Sequence, residues 1–266
     1  MKPMHKVVTR LLAFSSLLGL ATYAHAAVPL PAHRLPGTPA TRAAARTRIG
    51  ELERTTLTTP PPPGRTAQIA RELVQLEDAG RPTLLDLVAR LAGESRMDRA
   101  SERARVALVG GALHALGKQP DDAAVELSKS VLASDERAVI VLDAAATVLG
   151  RRAAASDVTV LISIADRGDA VHQAAVLAGL GHARVAPSLQ YLSTRIRSGG
   201  TALAKVADAA AFAGSSWAWE ALGASRAQEG ATLRAELSAA LIAARPQADA
   251  QARIAIDRAL QVIDLR

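Results

Sequence analysis

The pattern of apolar and polar positions is helical over most of the chain. Beyond the first quarter, apolar residues recur at intervals of three and four, as in Leu84, Leu87 and Leu91. This spacing places apolar side chains on one face of an α-helix. No stretch of this region alternates between apolar and polar residues for long enough to predict a β-strand. We therefore predict an all-α domain over residues 66–266.

Short hydrophobic segments that end in glycine divide this region into repeats. The segments read ALHALG, AATVLG, VLAGLG and AAAFAG, and their final residues are Gly117, Gly150, Gly181 and Gly214. Successive glycines are separated by 33, 31 and 33 residues. A fixed period in this range is typical of stacked repeats that each contain one helical hairpin. We expect each glycine to follow the end of a helix, at a C′ position with positive φ.

The residues next to each glycine have a similar character in every repeat. Leu116, Leu149 and Leu180 precede three of the glycines, and Ala213 precedes the fourth. We expect the leucines to fill the space between layers, while small residues let neighbouring helices approach closely. A polar turn and a second helix follow each glycine, and degenerate flanking hairpins are typical of capping repeats. The predicted second helices are 121–134, 156–166, 186–198 and 215–225, and the flanking hairpins are 66–98 and 229–264.

This unit resembles the short bacterial HEAT repeats of phycobilisome-lyase-like proteins. Residues 135–169, DERAVIVLDAAATVLGRRAAASDVTVLISIADRGD, contain an Ala-rich helix ending in Leu-Gly, a turn, a second helix and an acidic joint, and residues 170–199 repeat this order. The resemblance covers residues 101–225 well and the two ends loosely. It implies an α-solenoid, or superhelix, of about six HEAT-like helical hairpins. It does not select a function, because such repeats serve as binding scaffolds, regulatory subunits and lyases.

Residues 27–65 have a different composition. They contain eight of the 13 prolines of the chain, including the run from Pro60 to Pro63. Because proline fixes φ and has no amide hydrogen, this composition favours extended polyproline II. We interpret residues 27–65 as a largely disordered, proline-rich linker, within which residues 40–57 have the pattern of a short helix.

The first 26 residues have the pattern of a signal peptide. Lys2, Lys6 and Arg10 precede the apolar segment LLAFSSLLGLA, and the segment AHA supplies small residues for cleavage. The apolar segment is too short to span a bilayer. We expect cleavage after Ala26 and a periplasmic or secreted protein without a transmembrane anchor.

Composition limits the partners that we expect. The formal charge of +7 falls to +4 when the three basic residues of the first 26 positions are excluded. This weak bias, without stacking aromatics or an RNA-binding motif, argues against nucleic acid. Arg151 and Arg152, together with Arg195 and Arg197, suggest a basic ridge that would attract an anionic polymer of the cell envelope. The chain has no cysteine, so its fold depends on packing alone.

The sequence contains no complete catalytic or metal-binding motif. The segment RVALVGGALHALGKQ superficially resembles a phosphate-binding loop, but its glycine spacing is wrong and Gln119 replaces the Ser or Thr that would bind Mg²⁺. Close helix packing explains these glycines. His114, His172 and His182 have no partner at i+3 or i+4, although convergence from adjacent repeats stays open. We predict no catalytic residue, no metal and no cofactor.

Two pairs of acidic residues are explained by helix capping. Asp121 and Asp122, and Asp135 and Glu136, lie at predicted helix starts, where negative charge stabilises the helix dipole. General acid or base catalysis would require burial to shift a carboxyl pKa, and we expect these turns to be solvated.

Aromatic residues provide the clearest candidates for partner binding. Trp217 and Trp219 are the only tryptophans, and Tyr191 and Phe212 are the only other aromatic residues after position 26. Residues i and i+2 of a helix point in different directions, so one neighbour cannot easily bury both tryptophans. Either one tryptophan fills a gap beside small alanines while the other covers a turn, or the pair forms a binding hot spot. The candidate partner-binding residues are Trp217, Trp219, Tyr191, Arg195 and Arg197.

Stacked hairpins present a long continuous face rather than a deep pocket. The sequence therefore predicts an exported, non-enzymatic scaffold that binds one or more unknown protein partners. Two alternatives stay open. One is a lyase-like enzyme or a regulatory subunit of an enzyme, which the resemblance implies, and the other is an arginine-mediated binder of envelope polymers.

Overall fold

The computed structural model describes residues 37–59, 62, 66–94, 98–200 and 202–264, and every regular element within them is helical. The predicted all-α class is confirmed for this part of the chain, and the predicted signal peptide lies outside it. The α-helices are α1 Pro39–Thr58, α2 Thr66–Gln75, α3 Glu77–Leu91, α4 Arg99–Leu116, α5 Asp122–Ala133, α6 Val139–Arg152, α7 Ala155–Arg167, α8 Ala170–His182, α9 Ala186–Ser198, α10 Leu203–Gly214, α11 Ser216–Glu220, α12 Ala224–Ala244 and α13 Ala250–Asp264.

The helices pack in two layers. One layer contains α2, α4, α6, α8, α10 and α13, and each of these helices packs against the next. The other layer contains α3, α5, α7, α9 and α12, each packed on the first-layer helices that flank it in the chain. Leu116, Leu149 and Leu180 are fully buried in the core of this arrangement. None of the described helices is long and apolar enough to cross a membrane.

The four repeat glycines do not have the predicted positive φ. Gly117 has a φ of −74°, Gly150 and Gly181 lie inside α6 and α8, and Gly214 is the last residue of α10. Their role is close packing between helices of the first layer. A Cβ atom on Gly181, for example, would lie 3.0 Å from the carbonyl oxygen of Ala209 on α10. The glycines therefore recur at a regular spacing because each first-layer helix approaches its neighbour closely near the same point, its C-terminal end.

The helical pattern of residues 40–57, within the segment interpreted as a linker, corresponds to a helix in the structure, Pro39–Thr58. This segment is helix α1, which packs against α3 and α4 and buries Ile49 and Leu52. These residues are three positions apart and lie on one helix face. The helix begins favourably, because the Thr38 side chain accepts a hydrogen bond from the amide of Thr41 and proline occupies the first turn.

The last predicted second helix, 215–225, is wrong, because it is not one continuous helix. Ser216–Glu220 is a short helix, and Gly223, with a φ of 95°, separates it from α12, which begins at Ala224. Helix α12 packs against α9 and continues the second layer. The helix that completes the second layer is therefore α12, which begins later in the chain than predicted. The short helix α11 is an additional turn between α10 and α12.

Candidate functional site

Three large apolar side chains are exposed around the end of α10. Phe212 on α10 is 58% exposed, Trp217 on α11 is 66% exposed, and Leu222 in the following turn is 48% exposed. We call these three residues the aromatic edge. Exposed aromatic groups of this kind are enriched at the energetic centres of protein interfaces.

Trp219 does not lie on this surface. Its side chain is fully buried, and its indole Nε1–H donates a hydrogen bond to the carbonyl oxygen of Ala213 at 2.8 Å. Its ring packs against Gly230 of α12, where a Cβ atom would overlap it, and Arg226 lies 5.9 Å from the ring centroid. Of the two interpretations of the tryptophan pair, the structure matches the first: Trp219 is a packing residue, whereas Trp217 is available to a partner.

Trp219 also fixes the position of the aromatic edge. Its hydrogen bond to Ala213 and its packing against Gly230 connect the C-terminal end of α10 to α12. The short helix α11 carries both tryptophans. The backbone that carries the exposed Trp217 is therefore anchored two residues away by the buried ring of Trp219.

Arg184 and His182 lie beside Phe212 of the aromatic edge. Arg184 Nη2 donates to the carbonyl oxygen of Phe212 at 3.4 Å, and the ring of His182 lies 5.7 Å from the Phe212 ring. Burial, reinforced by the charges of Arg151 and Arg184, lowers the pKa of His182 to about 4. His182 is consequently neutral at pH 7, and the positive charge beside the edge comes from arginine.

Tyr191 and Arg195 come together in a separate groove at the other end of α10. The groove lies between the start of α8, the second half of α9 and the start of α10, and Gln173 and Lys205 supply its remaining polar side chains. The Tyr191 hydroxyl donates to Asp166 at 2.8 Å. Burial, with the hydrogen bond to Asp166, raises the pKa of Tyr191 to about 12, so its phenol stays protonated.

The predicted basic ridge does not form. Arg151 and Arg152 lie at the end of α6, where Arg152 pairs with Asp122 at 2.6 Å. Arg195 and Arg197 lie at the end of α9, which runs back from the end of α8 toward its start. The two pairs therefore lie at opposite edges of the layers, and Arg197 is exposed outside the groove.

The prediction that helix capping explains the acidic pairs is confirmed for Asp121, but Glu136 lies before the N-cap of α6 and does not cap that helix. Asp121 accepts a hydrogen bond from the amide of Ala124 at the start of α5. Glu136 accepts from the amide of Ala138 before α6, and it also binds Arg105 at 2.7 Å. Both Glu136 and Arg105 have side chains only 2% exposed, so the expectation of a solvated turn is wrong here. This ion pair is structural, and it connects α4 to the start of α6.

His114, His172 and His182, the histidines of the described residues, do not converge with acidic residues into a possible metal site. No group of three or more histidine and carboxylate side chains in the described ranges has the geometry to hold a metal ion. His172 lies beside the Asp169 cap of α8, with Nδ1 at 3.0 Å from the carboxylate. His114 lies at the end of α4 and His182 at the end of α8, and burial and neighbouring positive charge lower the pKa of each.

Several residues of the two sites carry no motif that identifies them in the sequence. Gln173, Lys205 and Leu222 are common residue types at unremarkable spacings. Phe212 does carry a signal, because it stands two residues before a repeat glycine, where the other repeats have Ala115, Val148 and Gly179. A large aromatic residue at a small, buried repeat position is an indication of a site.

Comparisons with known proteins add no relative to this description. No protein-family model, curated protein or solved structure matches the chain.

Proposed function

We propose that the described helices form a HEAT-like α-solenoid that acts, after export, as a non-enzymatic scaffold for protein partners. The two-layer stacking of successive hairpins supports the solenoid, and the signal-peptide pattern of residues 1–26 supports export. The partner surface of this scaffold is the aromatic edge. The single observation that carries the assignment is the exposure of Trp217, at 66%, on a turn held from behind by buried Trp219.

The chemistry of the edge indicates the character of the partner. Phe212, Trp217 and Leu222 offer an apolar contact, and Arg184 lies next to it. Arginine beside aromatic side chains favours a partner that combines an apolar anchor with acidic groups around it. Added salt should weaken binding, because it screens the charged groups at the rim of the surface. The contribution of the apolar contact should persist.

The proposal is tested by capture from periplasmic and extracellular fractions. The bait is the chain from Ala27, compared with Trp217→Ala and Phe212→Ala. The matched control is Ile254→Ala, because Ile254 is 62% exposed but lies toward the start of α13, away from the edge. We expect a protein captured by the unchanged chain and the control to be lost from both aromatic variants. Equal capture by all four chains would contradict the assignment of the edge.

A further inference from the structure

The groove beside the start of α10 has the size of a small-ligand site. Its volume is about 250 Å³, and α7, α8, α9 and the start of α10 contribute to its walls. Pockets for drug-sized ligands begin at about 300 Å³, so this groove suits a smaller molecule or one side chain of a partner.

Three hydrogen-bond donors from three helices line this groove. They are the amide of Gln173 on α8, the guanidinium of Arg195 on α9 and the ammonium of Lys205 on α10. Within the described residues, none of these three side-chain groups forms a hydrogen bond or an ion pair. A bound anion would interact favourably with both cations of the groove.

The carboxylates of nearby residues form no ion pair with Arg195 or Lys205. Asp166 accepts a hydrogen bond from the Tyr191 hydroxyl at the edge of the groove, Asp169 caps α8 and pairs with Arg137, and Asp208 pairs with Arg258 at 3.6 Å. Asp143 is the remaining acidic neighbour, since its charge interacts with that of Lys205.

Asp143 interacts with Lys205 through its charge, but the two form no ion pair within the described residues. Burial raises the pKa of Asp143 to about 6, although the positive charge of Lys205 acts in the opposite direction. Asp143 is therefore mostly ionised at pH 7 and offsets part of the charge of Lys205. Arg195 has no acidic partner within the described residues, so its guanidinium is the main attraction for an external anion.

The backbone adds to the attraction of an anion. Ala202, the residue that precedes α10, lines the groove and provides no side-chain cap for that helix. The start of a helix carries partial positive charge, which complements the charges of Arg195 and Lys205.

The remaining walls are apolar. The groove is also lined by four apolar side chains, those of Ala170, Ala174, Leu177 and Val206. An inorganic anion would leave this surface without a contact, whereas a short aliphatic chain would cover it. Arginine is well suited to a planar carboxylate, which it binds through two parallel hydrogen bonds.

We propose that this groove is a carboxylate-binding site, in which Arg195 and Lys205 hold the carboxylate of a short aliphatic acid, Gln173 donates a further hydrogen bond and the apolar walls contact its chain. The carboxylate belongs either to a free small acid or to an acidic side chain of a protein partner. The proposal does not depend on the aromatic edge, which lies at the opposite end of α10.

The test is an NMR titration of the chain from Ala27 with three probes. Hexanoate represents the free acid, the capped peptide acetyl-Ala-Glu-Ala-Leu-amide represents the side chain, and hexanamide is the neutral control. The variants are Arg195→Gln and Lys205→Gln. Arg197→Gln is the matched control, because Arg197 is on the same helix but outside the groove.

We expect hexanoate or the peptide to shift the resonances of Gln173 and Lys205, and hexanamide to leave them unchanged. Each groove variant should weaken that binding by about tenfold, as expected for a lost charge-assisted hydrogen bond. Binding of hexanoate alone identifies a free acid, and binding of the peptide identifies a partner side chain. The proposal is overturned if neither acid binds, or if binding is the same in Arg195→Gln and Lys205→Gln as in Arg197→Gln.

Discussion

Gly150 of α6 and Gly179 of α8 bring the backbones of two neighbouring helices into direct contact. A Cβ atom on Gly150 would overlap the carbonyl group of Gly179, and a Cβ atom on Gly179 would overlap the carbonyl oxygen of Ala146. Neither obstacle is a flexible side chain that can rotate away. The stacking of these two repeats therefore depends on glycine at both positions.

Replacing Gly150 by alanine should force α6 and α8 apart. We expect the free energy of unfolding to fall by about 3 kcal/mol, as in severe overpacking of a core, measured by urea denaturation. The control is Gly50→Ala in α1, because no atom lies within 4 Å of a Cβ placed there. Alanine favours a helix over glycine, so the control should gain about 1 kcal/mol. Similar effects of the two substitutions would refute the close contact.

The two tryptophans should differ sharply in their effect on stability. Trp219→Ala removes a buried ring and its hydrogen bond to Ala213, and we expect a loss of about 4 kcal/mol. Trp217→Ala changes an exposed side chain, and its effect should stay within about 0.5 kcal/mol. Thermal and urea unfolding of both variants provide the measurement. A large loss for Trp217→Ala would mean that this side chain packs against the fold.

Breaking the ion pair between Glu136 and Arg105 should destabilise the fold. Glu136→Gln leaves the buried Arg105 without one of its carboxylate partners, and we expect a loss of about 3 kcal/mol. Asp135→Asn removes the exposed neighbouring charge and should change stability by about 0.5 kcal/mol or less. The comparison by urea denaturation at pH 7 separates the buried charge from a general effect of net charge.

The same pair gives the fold a dependence on acid pH. Burial opposes ionisation of Glu136, but hydrogen bonds from Arg105 and the backbone outweigh it and lower the pKa of Glu136. The stabilisation is therefore present above the ordinary carboxyl pKa and is lost as the pH falls through the lowered value. Stability measured from pH 7 down to pH 3 should decline less steeply in Glu136→Gln. Parallel curves for this variant and the unchanged chain would contradict the coupling.

His182 should weaken the fold over a different pH range. Its pKa is lowered to about 4, whereas an unfolded histidine titrates near pH 6.5. Between these values the unfolded chain binds a proton that the folded chain does not, so stability falls as the pH decreases from about 6.5 toward 4. His114, whose pKa is also lowered, acts in the same direction, and Asp143, whose pKa is raised, opposes it.

The contribution of His182 is obtained from His182→Gln, which has no ionisable group at this position. We expect the decrease in melting temperature between pH 7 and pH 5 to be smaller in this variant than in the unchanged chain. An identical decrease would show that His182 is not the group that couples stability to pH.

The sequence predicted the helical class and the repeat period, but not the reason for the period. Glycines at 33, 31 and 33 residues were expected to form left-handed helix ends. Periodicity identifies a recurring requirement, and a left-handed turn and a close approach between helices both require glycine. The contact between Gly150 and Gly179 involves two different repeats, so its nature is not readable from either repeat alone.

The sequence identified the tryptophan pair but not which member is exposed. That difference depends on Gly230, which lies on α12 and leaves space for the ring of Trp219. A prediction would have required the packing of α11 against a helix that follows it in the chain. The sequence did indicate a helix over residues 40–57, but not that Ile49 and Leu52 bury its apolar face against α3 and α4.

The most direct test of the scaffold proposal is the affinity of the captured partner for Trp217→Ala, measured by isothermal titration calorimetry. Truncation of a central aromatic anchor costs about 2 kcal/mol or more, so the dissociation constant should rise by about 30-fold. Ile254→Ala should leave it unchanged, because Ile254 is comparably exposed but distant from the aromatic edge. A dissociation constant that is the same for Trp217→Ala and for the unchanged chain would contradict the proposal that partners bind at this edge.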